Sequence, residues 1–288
     1  MNVADRQRPP AGELYLDHLA HFVPDLDAAT CVWEELGFRV TPLSHHQVSG
    51  KPAGTSNRCV MLGDGYLEIL APTHDTPNAQ RVRDRMKRFV GVHLACFGTP
   101  HAAAEQERLA AHGFEPEPVV NLERTIETGA KVRFSVVYVP PEKMPEGRVQ
   151  YVEHQTPNEV WREPHVNGEF RLQAVYVVAQ DPAHTAARWA RFAGLLPRPQ
   201  GEFVELECAR GRVVVGTATS LSTILGEVPP APALAGYALA CSHPDRFAAR
   251  CSAAGMAARE LGNRYAVALP AALGGTWLLE SVANEEDL

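Results

Sequence analysis

The chain has 288 residues, 45% of them hydrophobic, which permits one large or two medium cores. With 27 basic and 34 acidic residues its formal net charge is -7, and nothing in it advertises a nucleic-acid surface. Six scattered cysteines with no C-x-x-C point to reduced core thiols. The lack of an apolar N-terminal run or of 18 consecutive apolar residues argues against a signal peptide or a membrane span, so a cytoplasmic protein is expected.

Residues 1–14 read as a flexible tail. Residues 15–23 alternate as a half-buried strand, with Leu16, His18, Ala20 and Phe22 on one side and Leu19, His21 and Val23 on the other. Asp25 then opens a short amphipathic helix that stops at Gly37. Residues 38–43 read as a strand, 44–57 (SHHQVSGKPAGTSN) as a polar loop, and 58–62 and 66–70 as strands around the GDG turn. A helix is expected over 79–89. Its RVRDRMKR run is basic but interrupted by Asp84 and lacks an aromatic ladder, so it reads as a solvated face.

The design then returns. A second strand–helix–strands unit takes a strand at 91–97, a helix at 100–112 and strands at 114–121, 131–139 and 148–154. Residues 158–170 form a connector with little periodicity. A third unit has strands at 172–178, 202–208 and 211–217 and a helix at 182–193. The Pro-rich link GEVPPAPALAG (226–236) precedes a fourth, with strands at 237–242, 264–269 and 276–282 and a helix at 244–255. GVHLAC at 91–96 stands against GYALAC at 236–241. Such repeats pair to close a curved sheet, because each alone leaves an apolar face bare.

Four residues recur at equivalent strand positions. His18 and His93 lie in first strands; Glu68 and Glu153 lie in last strands, inside the apolar runs GYLEIL and VQYVEH. A buried carboxylate is costly unless it is paired or bound to a metal. Two imidazoles and two carboxylates suit Zn²⁺, Ni²⁺, Co²⁺, Mn²⁺ or Fe²⁺, although core histidines and salt-bridged glutamates explain each residue singly.

The runs LDHLAHFVPDLDAA, GTSNRCVMLGDGYLEILAP (54–72), EHQTPNEVW (153–161) and HVNG (165–168) resemble the glyoxalase-like domain branch of the vicinal-oxygen-chelate superfamily, over about residues 15–195. The resemblance implies an α+β fold of four βαβββ modules in two partly open, paired-module barrel domains, 15–157 and a degenerate 171–288. It also implies a divalent metal held by His18, Glu68, His93 and Glu153, with Glu153 or Glu68 as the base that moves a proton. His46, Asn57 and Arg58, in or beside the polar loop, would bind substrate oxygens. The expected function is metal-dependent isomerase or lyase chemistry on a small molecule with vicinal oxygens. The alternatives are a non-catalytic small-molecule binder of the same fold and an extradiol-type dioxygenase.

In the second half the positions matching His18 and His93 are Ala174 and Ala238, and its last strands offer Gly216 and Glu280. One carboxylate cannot hold a catalytic metal, so this half is expected to complete the fold, shield the first site or bind an apolar group. Four modules in one chain do not require a homodimer, although the sheet edges could support one.

Overall fold

The computed structural model describes residues 3–48 and 50–282. The first half runs β1 (Tyr15–Phe22), α1 (Leu26–Glu35), β2 (Ser44–Val48), β3 (Lys51–Asp64), β4 (Tyr66–Pro72), α2 (Pro77–Met86), β5 (Gly91–Gly98), α3 (Ala102–Ala111), β6 (Val120–Thr125), β7 (Lys131–Tyr138) and β8 (Arg148–His154). After the short α4 (Pro157–Val160) the second half runs β9 (Val166–Val178), α5 (Pro182–Ala193), β10 (Pro197–Gln200), β11 (Phe203–Glu207), β12 (Arg212–Gly216), α6 (Ala218–Leu225), β13 (Ala233–Cys241), α7 (Pro244–Ala253), β14 (Ala258–Leu261), β15 (Arg264–Ala268) and β16 (Thr276–Ser281).

These elements form an α+β fold of βαβββ-like modules. In the first half the strands run β3-β2-β6-β7-β8-β5-β1-β4 and return to β3, so the barrel is closed. The closing contact sets Gln47 of β2 opposite Glu123 of β6. The second half, β10-β11-β12-β9-β13-β16-β15-β14, stays open and joins the barrel where β9 pairs in parallel with β3. No described helix is long and apolar enough to cross a membrane.

The polar stretch 44–57 is a hairpin rather than a loop, with Ser44 opposite Asn57 and Val48 opposite Lys51. Its polar residues conceal a strand whose inner face lines a cavity instead of an apolar core, so the hydrophobic period is missing. Residues 38–43 and 114–119 are irregular where strands were expected. The N-terminal segment is docked: Gln7 is buried, donates to the Gly63 carbonyl (2.9 Å) and accepts from the Gly65 amide (3.0 Å). That turn needs glycine at 65, where φ is +74° and a Cβ would lie 2.7 Å from the Asp17 carbonyl.

Asp25 caps α1 by accepting from the amides of Asp27 and Ala28, worth about 1 kcal/mol. The helix buries Ala29, Val32 and Trp33. Trp33 meets Trp277 at 4.9 Å, inside an apolar cluster that draws on both halves. His21 belongs there too, where its neutral ring donates through Nδ1 to the Leu273 carbonyl and accepts at Nε2 from the Tyr237 hydroxyl, both at 3.0 Å. The cup of the second half is filled. Ala174 and Ala238 pack with Tyr176 and Leu278 against Leu221 and Leu225 of α6, and Glu280 pairs with Arg212 at 3.0 Å.

Candidate active site

The closed barrel surrounds a cavity of about 840 Å³. On β1 and β4 the inward positions bring His18, Tyr66, Glu68 and Leu70 to its wall; on β8 they bring Arg148, Gln150 and Val152. Hairpin β2–β3 adds His46 and Asn57, and β6 adds Arg124.

At the inner end, His18 Nδ1–H donates to Asp17 Oδ1 at 2.6 Å, and its ring stacks on Tyr66 at 4.3 Å. His18 Nε2 has no hydrogen-bond partner among the described residues. Successive strand residues normally face opposite sides. Here the β1–β5 ladder shifts register between Leu16 and His18, and the two side chains reach each other. His154 Nε2–H donates to the other Asp17 oxygen at 3.0 Å. Burial alone would raise the Asp17 pKa, but the His154 and His18 contacts outweigh it and hold the carboxyl well below the usual range. An ionised carboxylate only accepts, so it fixes the His18 proton on Nδ1 and leaves the Nε2 lone pair for the cavity.

Glu68 is buried. Its Oε1 accepts from Asn57 Nδ2 at 2.6 Å and lies 3.6 Å from His46 Nε2. Arg124 donates to Asn57 Oδ1 at 3.2 Å, which aims the amide NH₂ at Glu68. Thr55 Oγ1 lies 2.9 Å from His46 Nδ1. Desolvation lowers the His46 pKa to about 4, Arg124 and Arg148 push it the same way, and Glu68 opposes them.

The other expected site residues lie elsewhere. Glu153 has the opposite parity to Gln150 and Val152, points out of the barrel, and accepts from the Ala102 amide at the start of α3 (2.9 Å). His93 is fully buried between Phe22 and Phe89, bonds the Phe89 carbonyl through Nε2 (2.8 Å), and does not line the cavity. Arg58 turns outward to the Thr41 carbonyl and to Asp27, again by strand alternation. Of the expected ligands, His18 and Glu68 share the cavity, while His93 and Glu153 do not join them. Among the described residues no three His, Cys, Asp or Glu side chains converge as a metal site, so the expected four-ligand set does not fit.

The ladder gives the reason. On β1 and β5, His18 stands opposite Cys96 and Ala20 opposite Leu94, with His93 passed over at a register shift. On β4 and β8, Tyr66 stands beside His18 and Arg148 beside Leu94. The pseudo-twofold counterparts of His18 and Glu68 are therefore Leu94 and Gln150. A one-residue slip turns every side chain to the other face.

A barrel of paired βαβββ modules around a cavity lined by both polar and apolar side chains defines the vicinal-oxygen-chelate class. The family model described as a glyoxalase-like domain matches residues 16–193, and the chain belongs to that family. Comparison with curated proteins finds no match. A hypothetical protein from Staphylococcus aureus shares the fold with a TM-score of 0.67 and 13% identity, covering 93% of this chain and 100% of its own. A mutant 4-hydroxymandelate synthase from Streptomyces coelicolor gives 0.60 and 13%, with 94% of each chain covered. A Mn(II)-bound glyoxalase from Novosphingobium aromaticivorans gives 0.53 and 10%, with 94% and 88% covered. At these identities the likeness is one of fold.

Proposed function

We propose that the barrel cavity is the active site of a glyoxalase-like isomerase or lyase acting on a small molecule with adjacent oxygens, and that His18 is its proton-transferring base. The observation that carries this reading is the 2.6 Å contact between buried Asp17 and His18 Nδ1. It orients the ring, sets its tautomer and leaves Nε2 unpartnered at the cavity wall.

A proton on a carbon next to a carbonyl is removed as an enediolate forms. His18 Nε2 takes that proton, and the resulting imidazolium is stabilised by the ionised Asp17 behind it. Returning the proton to the neighbouring carbon, while the hydroxyl proton passes from one oxygen to the other, completes an isomerisation. Delivering it to a departing oxygen completes an elimination. Glu68, fixed by the Asn57 amide and facing His46, supplies a second proton-accepting group on the same wall. Arg124 and Arg148 place positive charge beside the cavity where the enediolate develops. No step is assigned to a metal, because the expected donors do not converge.

The test is deuterium exchange, followed by proton NMR in D₂O, on short α-hydroxy ketones, α-hydroxy aldehydes and vicinal dicarbonyls. The wild type should wash out the carbon-bound proton of at least one class, and His18→Gln should not. Equal exchange by a folded His18→Gln variant would refute the assignment of the base. No exchange of any class by the wild type, with or without added divalent metal, would make the protein a binder.

A further inference from the structure

Helix α2 follows β4 in the first module as α6 follows β12 in the third, so the two occupy matching places in the chain. Their contents differ. α6 fills its cup with Leu221 and Leu225. α2 buries Val82 against Phe22 and Leu70, while Arg81 and Arg85 of the helix and Arg88 just beyond it line the cavity. The basic run that reads as a solvated face in the sequence is thus, in part, cavity wall.

Arg85 is half-buried, and its guanidinium has no hydrogen bond or ion pair among the described residues. Desolvation lowers its pKa to about 10, and the like charges of Arg148 and Arg88 push it the same way. Arg148 donates to Asn78 Oδ1 (2.9 Å), and Arg88 donates to the Pro232 carbonyl (2.7 Å); neither has a carboxylate partner among the described residues. The acids of the wall are engaged or open to water. Glu68 is held by Asn57, Glu123 pairs with Lys131 and Arg133, Asp84 pairs with Lys87, and Glu117 is exposed. Three guanidinium groups gathered without an anion are unfavourable in the empty protein, and forked donors match the oxygens of a carboxylate or phosphate. In a chain of net charge -7 this is a local reversal of sign confined to a cavity.

We propose that Arg85, Arg88 and Arg148 form an anion subsite that binds a carboxylate or phosphate group of the substrate. Arg148 pairs with Leu94, Leu94 with Ala20 and Ala20 with Glu68, so the subsite shares a ladder row of the barrel with Glu68. The substrate is then a small molecule with an anionic group at one end and adjacent oxygens at the other. The second half of that statement rests on the function proposed above; the subsite itself does not.

The experiment is calorimetric titration at low ionic strength with inorganic phosphate, with malonate, and with neutral glycerol. It uses the wild type, Arg85→Met, Arg88→Gln and His18→Gln, with the Tm of each recorded without anion. Phosphate or malonate should bind the wild type, about tenfold more weakly to Arg85→Met and Arg88→Gln, and equally well to His18→Gln. Binding of only one anion assigns the group. Arg85→Met should have a higher Tm than the wild type, since like-charge repulsion is relieved. Arg88 is exposed, so its variant reports on binding even if Arg85→Met does not fold. Equal anion affinity in the wild type and the arginine variants, or binding of neither anion, overturns the subsite. Proton exchange that persists in folded His18→Gln, with anion binding intact, would instead overturn the assignment of His18.

Discussion

Replacing Asp17 with asparagine keeps the shape and removes the charge. The carboxylate is fully buried and accepts from His18 Nδ1 at 2.6 Å and from His154 Nε2 at 3.0 Å. An amide offers one oxygen and one NH₂, so one imidazole must give up its donated hydrogen and become an acceptor. Charge-assisted hydrogen bonds contribute about 1.5–3 kcal/mol each, and removing a buried charge recovers part of that loss, so the net cost should be about 2–4 kcal/mol. For a chain of this size that is a Tm drop of roughly 3–7 °C. If His18 is the ring that changes, its lone pair leaves the cavity and proton exchange should fall by about 10²–10⁴. Nitrogen-15 NMR of the imidazoles reports the tautomers directly, and calorimetry reports the Tm. The folded-state pKa of Asp17 lies below the unfolded value of 3.8, so its contribution is full above that pH and is lost as pH falls below it. The penalty should shrink below pH 3.8. A variant with unchanged Tm and with His18 still protonated on Nδ1 would refute the reasoning.

Glu153→Ala removes only the carboxylate that accepts from the Ala102 amide at the start of α3, so it should cost about 0.5–2 kcal/mol in urea unfolding and leave proton exchange intact. Lost exchange in a folded Glu153→Ala variant would return Glu153 to the site. His21 and His93 are fully buried, and desolvation lowers each pKa from 6.5 to about 4. Between those values the unfolded chain binds protons that the fold does not, so stability should be full above pH 6.5 and fall towards pH 4. The loss should approach about 3 kcal/mol for each ring. Unfolding midpoints that stay level between pH 7.5 and pH 4.5 would contradict the burial of these rings as neutral groups.

Periodicity made α1 and α5 legible, because each has a buried face with a regular spacing of apolar residues; β1 was legible as a strand, but it is buried on both faces rather than half-buried. Periodicity failed where the inner face of a strand meets a cavity. His46, Thr55 and Asn57 carry no apolar period, and β2 with the start of β3 read as loop. Of the four residues expected as ligands, His18 and Glu68 line the cavity. His18 and Glu68 lie two residues apart in register on adjacent strands, a relation that the βαβββ reading supplies. His93 and Glu153 looked equivalent because the sequences HLAHF and HLACF align without a gap. The ladder passes over His93, and sequence similarity cannot show a slip of one residue. Asp17 was hidden by the same cause: strand alternation alone puts it on the face opposite His18. Nothing in the basic run itself distinguishes a rim of cavity arginines from a solvated helix.

The central claim is that His18, backed by Asp17, and Glu68 do the chemistry, and that His93 and Glu153 do not. The most direct measurement compares deuterium exchange into an exchange-competent substrate by wild type, His18→Gln, Glu68→Gln, His93→Gln and Glu153→Gln, with folding of each checked by its Tm. Exchange should be abolished in His18→Gln, be strongly reduced in Glu68→Gln, and persist in folded His93→Gln and Glu153→Gln. Loss of exchange together with loss of bound divalent metal in all four folded variants would contradict the claim and restore the four-residue metal site.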